Sequence, residues 1–228
     1  MIPVIYEDKN LIIIDKPYGI SSQSLPELYK DEYGKDVFLV HRLDQVTRGL
    51  MVLAKNSRMA GLISEKLGTA EFKKEYLCLM QGEIDNEGVL EDYLYHDRKK
   101  NKTYVVKKRP GAKLARLGYK LISFKENISL VHIVLETGRT HQIRAQFSNI
   151  GHPLVGDGKY GSRINGDVAL CSFRLSFIHP LTKEKLCFSI LPEMKQKWKL
   201  FEKELAFFWH RVLGQQVHSL QYRESVYR

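Results

Sequence analysis

The chain has 228 residues, 43% of them hydrophobic and 27% charged, and 36 Lys and Arg against 26 Asp and Glu give it a net charge of +10. That length can bury a full core and is most simply one domain; no apolar run reaches the ~20 residues of a membrane span, so a soluble, cytoplasmic protein is expected. Three well-separated cysteines, Cys78, Cys171 and Cys187, exclude a disulfide framework or a zinc site, and the positive surplus points to a polyanion as partner.

Val4-Ile5-Tyr6 and Leu11-Ile12-Ile13-Ile14, parted by the polar Glu7-Asp8-Lys9-Asn10, predict a β-hairpin that Pro17 and Gly19 end. Ser24 is the expected cap of a helix over 25–33. Val37-Phe38-Leu39-Val40 and Leu50-Met51-Val52-Leu53-Ala54 predict two buried strands. The polar stretch His41-Arg42-Leu43-Asp44-Gln45-Val46-Thr47-Arg48-Gly49 between them is then a loop held at both ends. An aspartate there, with Arg42 and Arg48 close by, stays ionised and suits a nucleophile or base; it serves equally as a turn residue capping backbone amides.

Ser57 begins a predicted helix with Met59, Leu62, Ile63 and Leu67 on one face and Gly68 at its end, and Phe72 to Met80 returns to strand. Alternation puts Tyr76 on the same face as Cys78. Between His96 and Pro110 lies a cationic segment, Arg98-Lys99-Lys100-Asn101-Lys102 followed by Lys107-Lys108-Arg109. It reads either as a solvated hairpin tip or as a loop that grips phosphates.

Residues 113–124 and 128–136 predict two paired strands, and Thr137-Gly138 a sharp turn. A helix follows with Ile143, Phe147 and Ile150 on its buried face and Arg144 at the margin of that face, closed by Gly151-His152-Pro153. Gly156-Asp157-Gly158-Lys159-Tyr160-Gly161 has the spacing of a dinucleotide fingerprint. It lacks the preceding strand and the following helix, so it is a structural turn. Leu170 to Ile178 and Leu186 to Ile190 predict late strands, and Met194, Trp198, Phe201, Leu205 and Phe208 mark a last helix. The expected organisation is one domain over 1–212 with a polar tail over 213–228.

Several of these stretches, in this order, resemble one family. His-Arg-Leu-Asp at 41–44, with Thr47, Gly49 and a strand ending in Ala54-Lys55, looks like the signature of the RluA-type RNA pseudouridine synthases. Tyr6-Glu7-Asp8 and Asp15-Lys16-Pro17 resemble that family's start, Lys74-Glu75-Tyr76-Leu77 its Lys-x-Tyr segment, and Ala169-Leu170 with Leu175 to Pro180 its late strand. Arg139-Thr140-His141-Gln142-Ile143-Arg144 with Gly151 to Asp157 and Tyr160-Gly161 is similar to its second long signature. Arg48 stands where Ser or Thr is usual and adds a cation near the phosphate path. The small RNA-binding domain that many members carry first is not expected here, because the motifs begin at residue 4.

The resemblance implies an α+β catalytic fold with a mixed, largely antiparallel sheet, flanking helices and a central RNA-binding cleft. It implies an isomerase that turns uridine in ribosomal or transfer RNA into pseudouridine, acting as a monomer without cofactor or metal. Asp44 would be the catalytic carboxylate, Tyr76 the platform on which a flipped uracil stacks, Arg144 the partner that aims Asp44, and Leu170 an apolar wall. His41, Arg42, Arg139, Thr140, His141 and Gln142 would face the RNA, although His41 serves equally as a structural hydrogen-bonder. Without the resemblance, Tyr76 and Leu170 read as strand core and Arg144 as a surface ion pair. A non-catalytic RNA-binding protein on the same fold is the second reading.

Overall fold

The computed structural model describes residues 1–214, with side chains to 212. The strands are β1 (Val4–Glu7), β2 (Leu11–Lys16), β3 (Phe38–Leu39), β4 (Arg48–Ala54), β5 (Phe72–Gln81), β6 (Glu87–Asp97), β7 (Lys102–Val106), β8 (Lys113–Lys125), β9 (Ile128–Leu135), β10 (Leu170–Ile178) and β11 (Lys185–Ser189). The helices are α1 (Leu25–Tyr33), α2 (Ser57–Lys66), α3 (Gln142–Asn149) and α4 (Glu202–Gly214).

One sheet holds all eleven strands, in the order β1-β2-β4-β10-β5-β9-β8-β6-β7 with β3 on β4 and β11 on β10. Pairing is antiparallel except between β4 and β10, which run parallel through Cys171–Arg48 and Ser172–Gly49. That seam is tight. Gly49 has φ 129°, and a β-carbon on it would sit 2.4 Å from the Ser172 carbonyl oxygen, so only glycine lets the two backbones approach.

The central strands are covered on both faces, which is why they read as unbroken apolar runs. Ile12, Ile14, Met51, Leu53, Tyr76 and Cys78 pack toward α1 and α3 through Leu25, Tyr29, Ile143 and Phe147. The alternate residues Ile13, Leu50 and Val52 pack toward Met59 and Ile63 of α2. Leu77, Leu79 and Phe173 pack toward Phe201, the residue before α4, and Leu205 of α4. Single-residue alternation therefore divides each strand between two cores.

Several expectations need correction. The expected cap Ser24 makes no capping bond. Ser21 accepts from Gln23 N at the head of a 3₁₀ turn over Ser22–Ser24, and α1 grows from that turn. The strand before the Asp44 loop is only β3. Phe38 is 41% exposed, although Val37 and Val40 are buried, so the loop is anchored mainly by β4. Asn56 caps α2 by accepting from Met59 N. Ile150 lies past the end of α3 and is exposed. The last helix starts as a 3₁₀ segment over Gln196–Phe201, and Met194 precedes it. The expected tail, beyond its first two residues, lies outside the described residues. No helix among the described residues is long and apolar enough to cross a membrane. Cys78 and Cys171 are buried, and Cys187 Sγ accepts from Arg174 Nε at 3.3 Å.

Candidate active site

The loop before β4, the turn before α3 and the facing strands β5 and β10 enclose a cavity of about 470 Å³. All ten residues singled out from the sequence line it. They come from four separate stretches of chain, so only the sheet order brings them together.

The Asp44 loop is pinned from behind. Ser22 Oγ accepts from Leu43 N at 3.0 Å and donates to Leu43 O at 2.7 Å, and Gly19 N donates to Gln45 O at 2.9 Å. Thr47 N donates to Asp44 O at 2.9 Å, which closes the turn. Beneath lies a residue to which the sequence pattern gives no site role. Lys16 is fully buried, and its Nζ donates to Pro17 O and Ile20 O at 2.8 Å and to Gln45 O at 3.4 Å. Burial pushes its amine down to about 8, against the opposing pull of Asp44 and Asp15.

Arg144, expected at the edge of the helix's buried face, is only 4% exposed. Its Nε donates to Asp157 Oδ2 at 2.6 Å and its Nη2 to Asp157 Oδ1 at 2.9 Å, a two-pronged grip, while Nη1 reaches Asp44 Oδ2 at 3.2 Å. Its guanidinium carbon also lies 4.9 Å from the centre of the Tyr160 ring. Asp157 is 1% exposed. The half-buried Asp44 is thus approached by a cation that cannot swing away, because a second carboxylate fixes the far side of that cation.

Tyr76 is buried on β5, and its β10 neighbour across the pair is Ser172, with Leu170 on the adjacent stretch of β10 lining the same cavity. Burial, and then the nearby Asp44 charge, raise the Tyr76 phenol, so it remains an O–H donor. His41 Nε2 accepts from Val52 N at 3.1 Å, and burial pushes its imidazole down to about 3, so it is a neutral hydrogen-bonder that ties loop to strand. Arg42 is exposed and hydrogen-bonds Thr140 Oγ1 across the cleft. Arg139 is exposed, with Nε donating to Leu114 O at 2.9 Å.

Gln142 is buried and fully engaged. Its Oε1 accepts from Thr137 Oγ1 at 2.8 Å and Arg139 N at 3.0 Å, and its Nε2 donates to Arg116 O at 3.1 Å, so it builds the turn before α3. His141 lies 3.9 Å from Asp44 through Nε2 and 3.0 Å from the Tyr160 hydroxyl through Nδ1.

Sequence pattern assigns Asp157 and Tyr160 only to a structural turn and gives Lys74, which also lines the cavity, no site role. Each sits inside a stretch that carries the family resemblance, which is the available signal; what each touches is not legible in the sequence. Arg48 departs from expectation most clearly. It is bound to Asp15 through Nη2 at 2.7 Å and to Glu193 through Nη1 at 3.1 Å, so it braces the base of the loop and does not wait for a phosphate.

The cationic segment forms the β6–β7 hairpin and the loop after it. Arg98, Lys99 and Lys100 are exposed at its tip. Arg109 covers Tyr95 at 4.3 Å from the ring centre, Lys108 covers Tyr93 at 5.9 Å, and Lys102 lies 5.1 Å from Tyr160. The inner face of the hairpin joins the cleft, because Thr103 N donates to the Tyr160 hydroxyl and Thr103 Oγ1 to Thr140 O, both at 2.8 Å.

This chain is similar to the RNA pseudouridine synthase YhcT of Bacillus subtilis, 32% identical over 79% of this chain and 65% of that one. It is 27% identical to tRNA pseudouridine synthase C of Haemophilus influenzae over 93% of this chain and the whole of that one. Among solved structures, human RNA Pseudouridylate Synthase Domain Containing 4 matches with a TM-score of 0.70 and 25% identity, over 84% of this chain and 89% of that one. The family model described as RNA pseudouridylate synthase matches residues 10–149, more than half of the chain and the part that carries Asp44, Tyr76 and Arg144. The protein therefore belongs to the RNA pseudouridylate synthase family of RNA-acting isomerases.

Proposed function

We propose that the protein isomerises uridine in transfer or ribosomal RNA, with Asp44 as the catalytic carboxylate and the target nucleotide flipped out of its stack into the cleft. One observation carries this reading: Asp44 Oδ2 is met at 3.2 Å by an arginine that Asp157 immobilises, in a cavity shared with Tyr76 and Leu170. The bond from ribose C1′ to uracil N1 breaks, uracil turns against Tyr76, C1′ joins C5, the C5 proton leaves and N1 takes up a proton. The product is an isomer, and no group is gained or lost. Asp44 starts the reaction by attack at C1′ or by removing a ribose proton. A protonated Tyr76 supplies a stacking face and an O–H, which suits a platform or a donor and not a base.

The exposed cations of the β6–β7 hairpin bind phosphates, and the acting unit in this reading is a single cytoplasmic chain. Tritium release from RNA containing 5-tritiated uridine tests the chemistry. Wild-type protein should release tritium, and Asp44→Asn should lose at least about a thousandfold in kcat with RNA affinity changed less than about threefold. Full RNA binding with no release from wild type would leave a binding protein on this fold. Near-normal release by Asp44→Asn would remove Asp44 from its role.

A further inference from the structure

His141 holds an uncommon position. It is the residue before the first turn of α3, with φ 53° and ψ 26°, in the left-handed region where a residue bearing a β-carbon is strained. Its carbonyl accepts from Ala145 N at 2.9 Å, and its ring is packed edge-on to Tyr160 at 5.8 Å and to His96 at 5.8 Å. The ring is therefore fixed in both place and angle beside Asp44.

The hydrogen bonds around Tyr160 decide which ring nitrogen carries the proton. Tyr160 is buried, and its oxygen already accepts the Thr103 N–H at 2.8 Å. A phenol has one proton of its own, and His141 Nδ1, 3.0 Å away, is the acceptor placed to take it. Tyr160 then donates to Nδ1, and the neutral ring carries its proton on Nε2. The opposite arrangement would load the phenol oxygen with two donors, turn its proton toward Thr103 Oγ1, which already bonds Thr140 O and His96 Nδ1, and aim a bare Nε2 at the Asp44 carboxylate. Burial keeps the ring neutral by pushing it down to about 4; Asp44 opposes this, while Arg144, Lys159 and His96 reinforce it. Nε2 lies 3.9 Å from Asp44 Oδ2, beyond hydrogen-bond reach, so its N–H is not spent on the carboxylate.

We propose that His141 is a second catalytic residue, a neutral Nε2–H donor aimed at the uracil as it leaves the ribose, and that Tyr160 is the positioning residue that sets its tautomer. This rests on the uridine-isomerising reading above. When the C1′–N1 bond breaks, its electron pair stays with uracil and spreads over N1 and the two carbonyl oxygens. A fixed N–H donor next to Asp44 stabilises that charge at a carbonyl oxygen and keeps its proton throughout. Such a donor has most effect where water is excluded and no reorientation is needed.

Two measurements on the full chain test this. In histidine-selective ¹⁵N spectra, the His141 ring should show its proton on Nε2, unchanged between about pH 5.5 and 8. In Tyr160→Phe, which keeps the ring but loses the hydroxyl, both tautomers should appear. In the tritium assay, His141→Phe should lose on the order of a hundredfold in kcat with KM changed less than about threefold, and His141→Gln, which keeps an N–H, should recover part of the loss. Tyr160→Phe should lose roughly tenfold in kcat without weaker RNA binding. A proton found on Nδ1 in wild type would overturn the tautomer assignment, and His141→Phe with kcat within about twofold of wild type would overturn the catalytic one. If wild type released no tritium, the isomerase reading would fall, while the spectrum would still decide the tautomer.

Discussion

Arg144 is buried and spends three nitrogens on two aspartates, whereas Arg98, Lys99 and Lys100 at the β6–β7 tip are exposed and, among the described residues, form no ion pair. The two groups carry the same charge in opposite circumstances. A guanidinium stripped of water and clamped by carboxylates has given up its freedom and much of its long-range field. What it supplies is direction. Solvated cations on a hairpin keep their field and mobility, so they attract a phosphate backbone without fixing any atom. Of the net charge of +10, only the second kind is available to a polyanion.

Substitutions should separate the two. The largest effect is expected at the clamp. Arg144→Met leaves Asp157 buried and unpaired, which should cost about 3–5 kcal/mol in denaturant unfolding, and kcat should fall on the order of a hundredfold with RNA affinity little changed. Asp157→Asn should reproduce a milder form of both losses. If Arg144→Met mainly weakened RNA binding, the contrast between clamp and hairpin would collapse.

Acid should break the fixed region next. His41 and His141 titrate in the folded protein near 3 and 4, below the ordinary histidine value, so the unfolded chain binds protons that the native state refuses. Their contribution is complete above about pH 6.5 and is lost as pH falls toward those values, by up to about 1.4 kcal/mol per pH unit for each histidine. Melting curves between pH 7 and 4 should show this, and His41→Gln should flatten it. Insensitivity to acid in wild type would mean that one of these rings is not held neutral.

At the hairpin, Lys99→Ala with Lys100→Ala should raise KM for RNA about tenfold at low salt and leave kcat unchanged. The slope of log affinity against log salt should fall by about 0.7–0.9 for each phosphate that the variant leaves unneutralised. An unchanged slope would remove the tip from the RNA path.

The smallest effect concerns Lys16. Above about pH 8 its amine loses a proton and keeps two N–H groups for three carbonyls, so kcat should decline a few-fold as the Asp44 loop slackens. Stability should not fall with it: between about 8 and 10.5 the unfolded chain holds the proton that the native state has released, so this lysine's contribution rises with pH. Parallel loss of activity and melting temperature would contradict that assignment.

Local pattern makes most of the frame legible. The doubly covered strands β2, β4 and β5 announce themselves as apolar runs, β8 and β9 meet at the turn expected between them, and α1 spans the residues its spacing indicates. The strand before the Asp44 loop is overread because Val37 and Val40 lie outside the two-residue β3 yet are buried in the cores on either side of β2 and β4. At the site, periodicity gives Tyr76 its face, but the family resemblance has to unite residues as distant as Asp44 and Leu170. What escapes is partnership. Arg144 and Asp157 lie 13 residues apart, and Thr103 and Tyr160 lie 57 apart, across intervening elements that no window of sequence spans. Arg48 shows the cost: the sequence sets it as one more cation near the phosphate path, and only the structure shows Asp15 and Glu193 holding it.

The Gly49–Ser172 seam has a consequence for who moves when RNA arrives. The two halves of the sheet touch backbone to backbone there, Ser172 Oγ donates across the joint to Leu50 O at 3.1 Å, and Thr47 and Leu170, each two residues before the joint, line the cleft. A joint with so little clearance resists sliding. On the proposed function, much of the work of fitting nucleotide to protein would then fall on the RNA, and uridines that already lie in loops or weak stacks should be the preferred substrates.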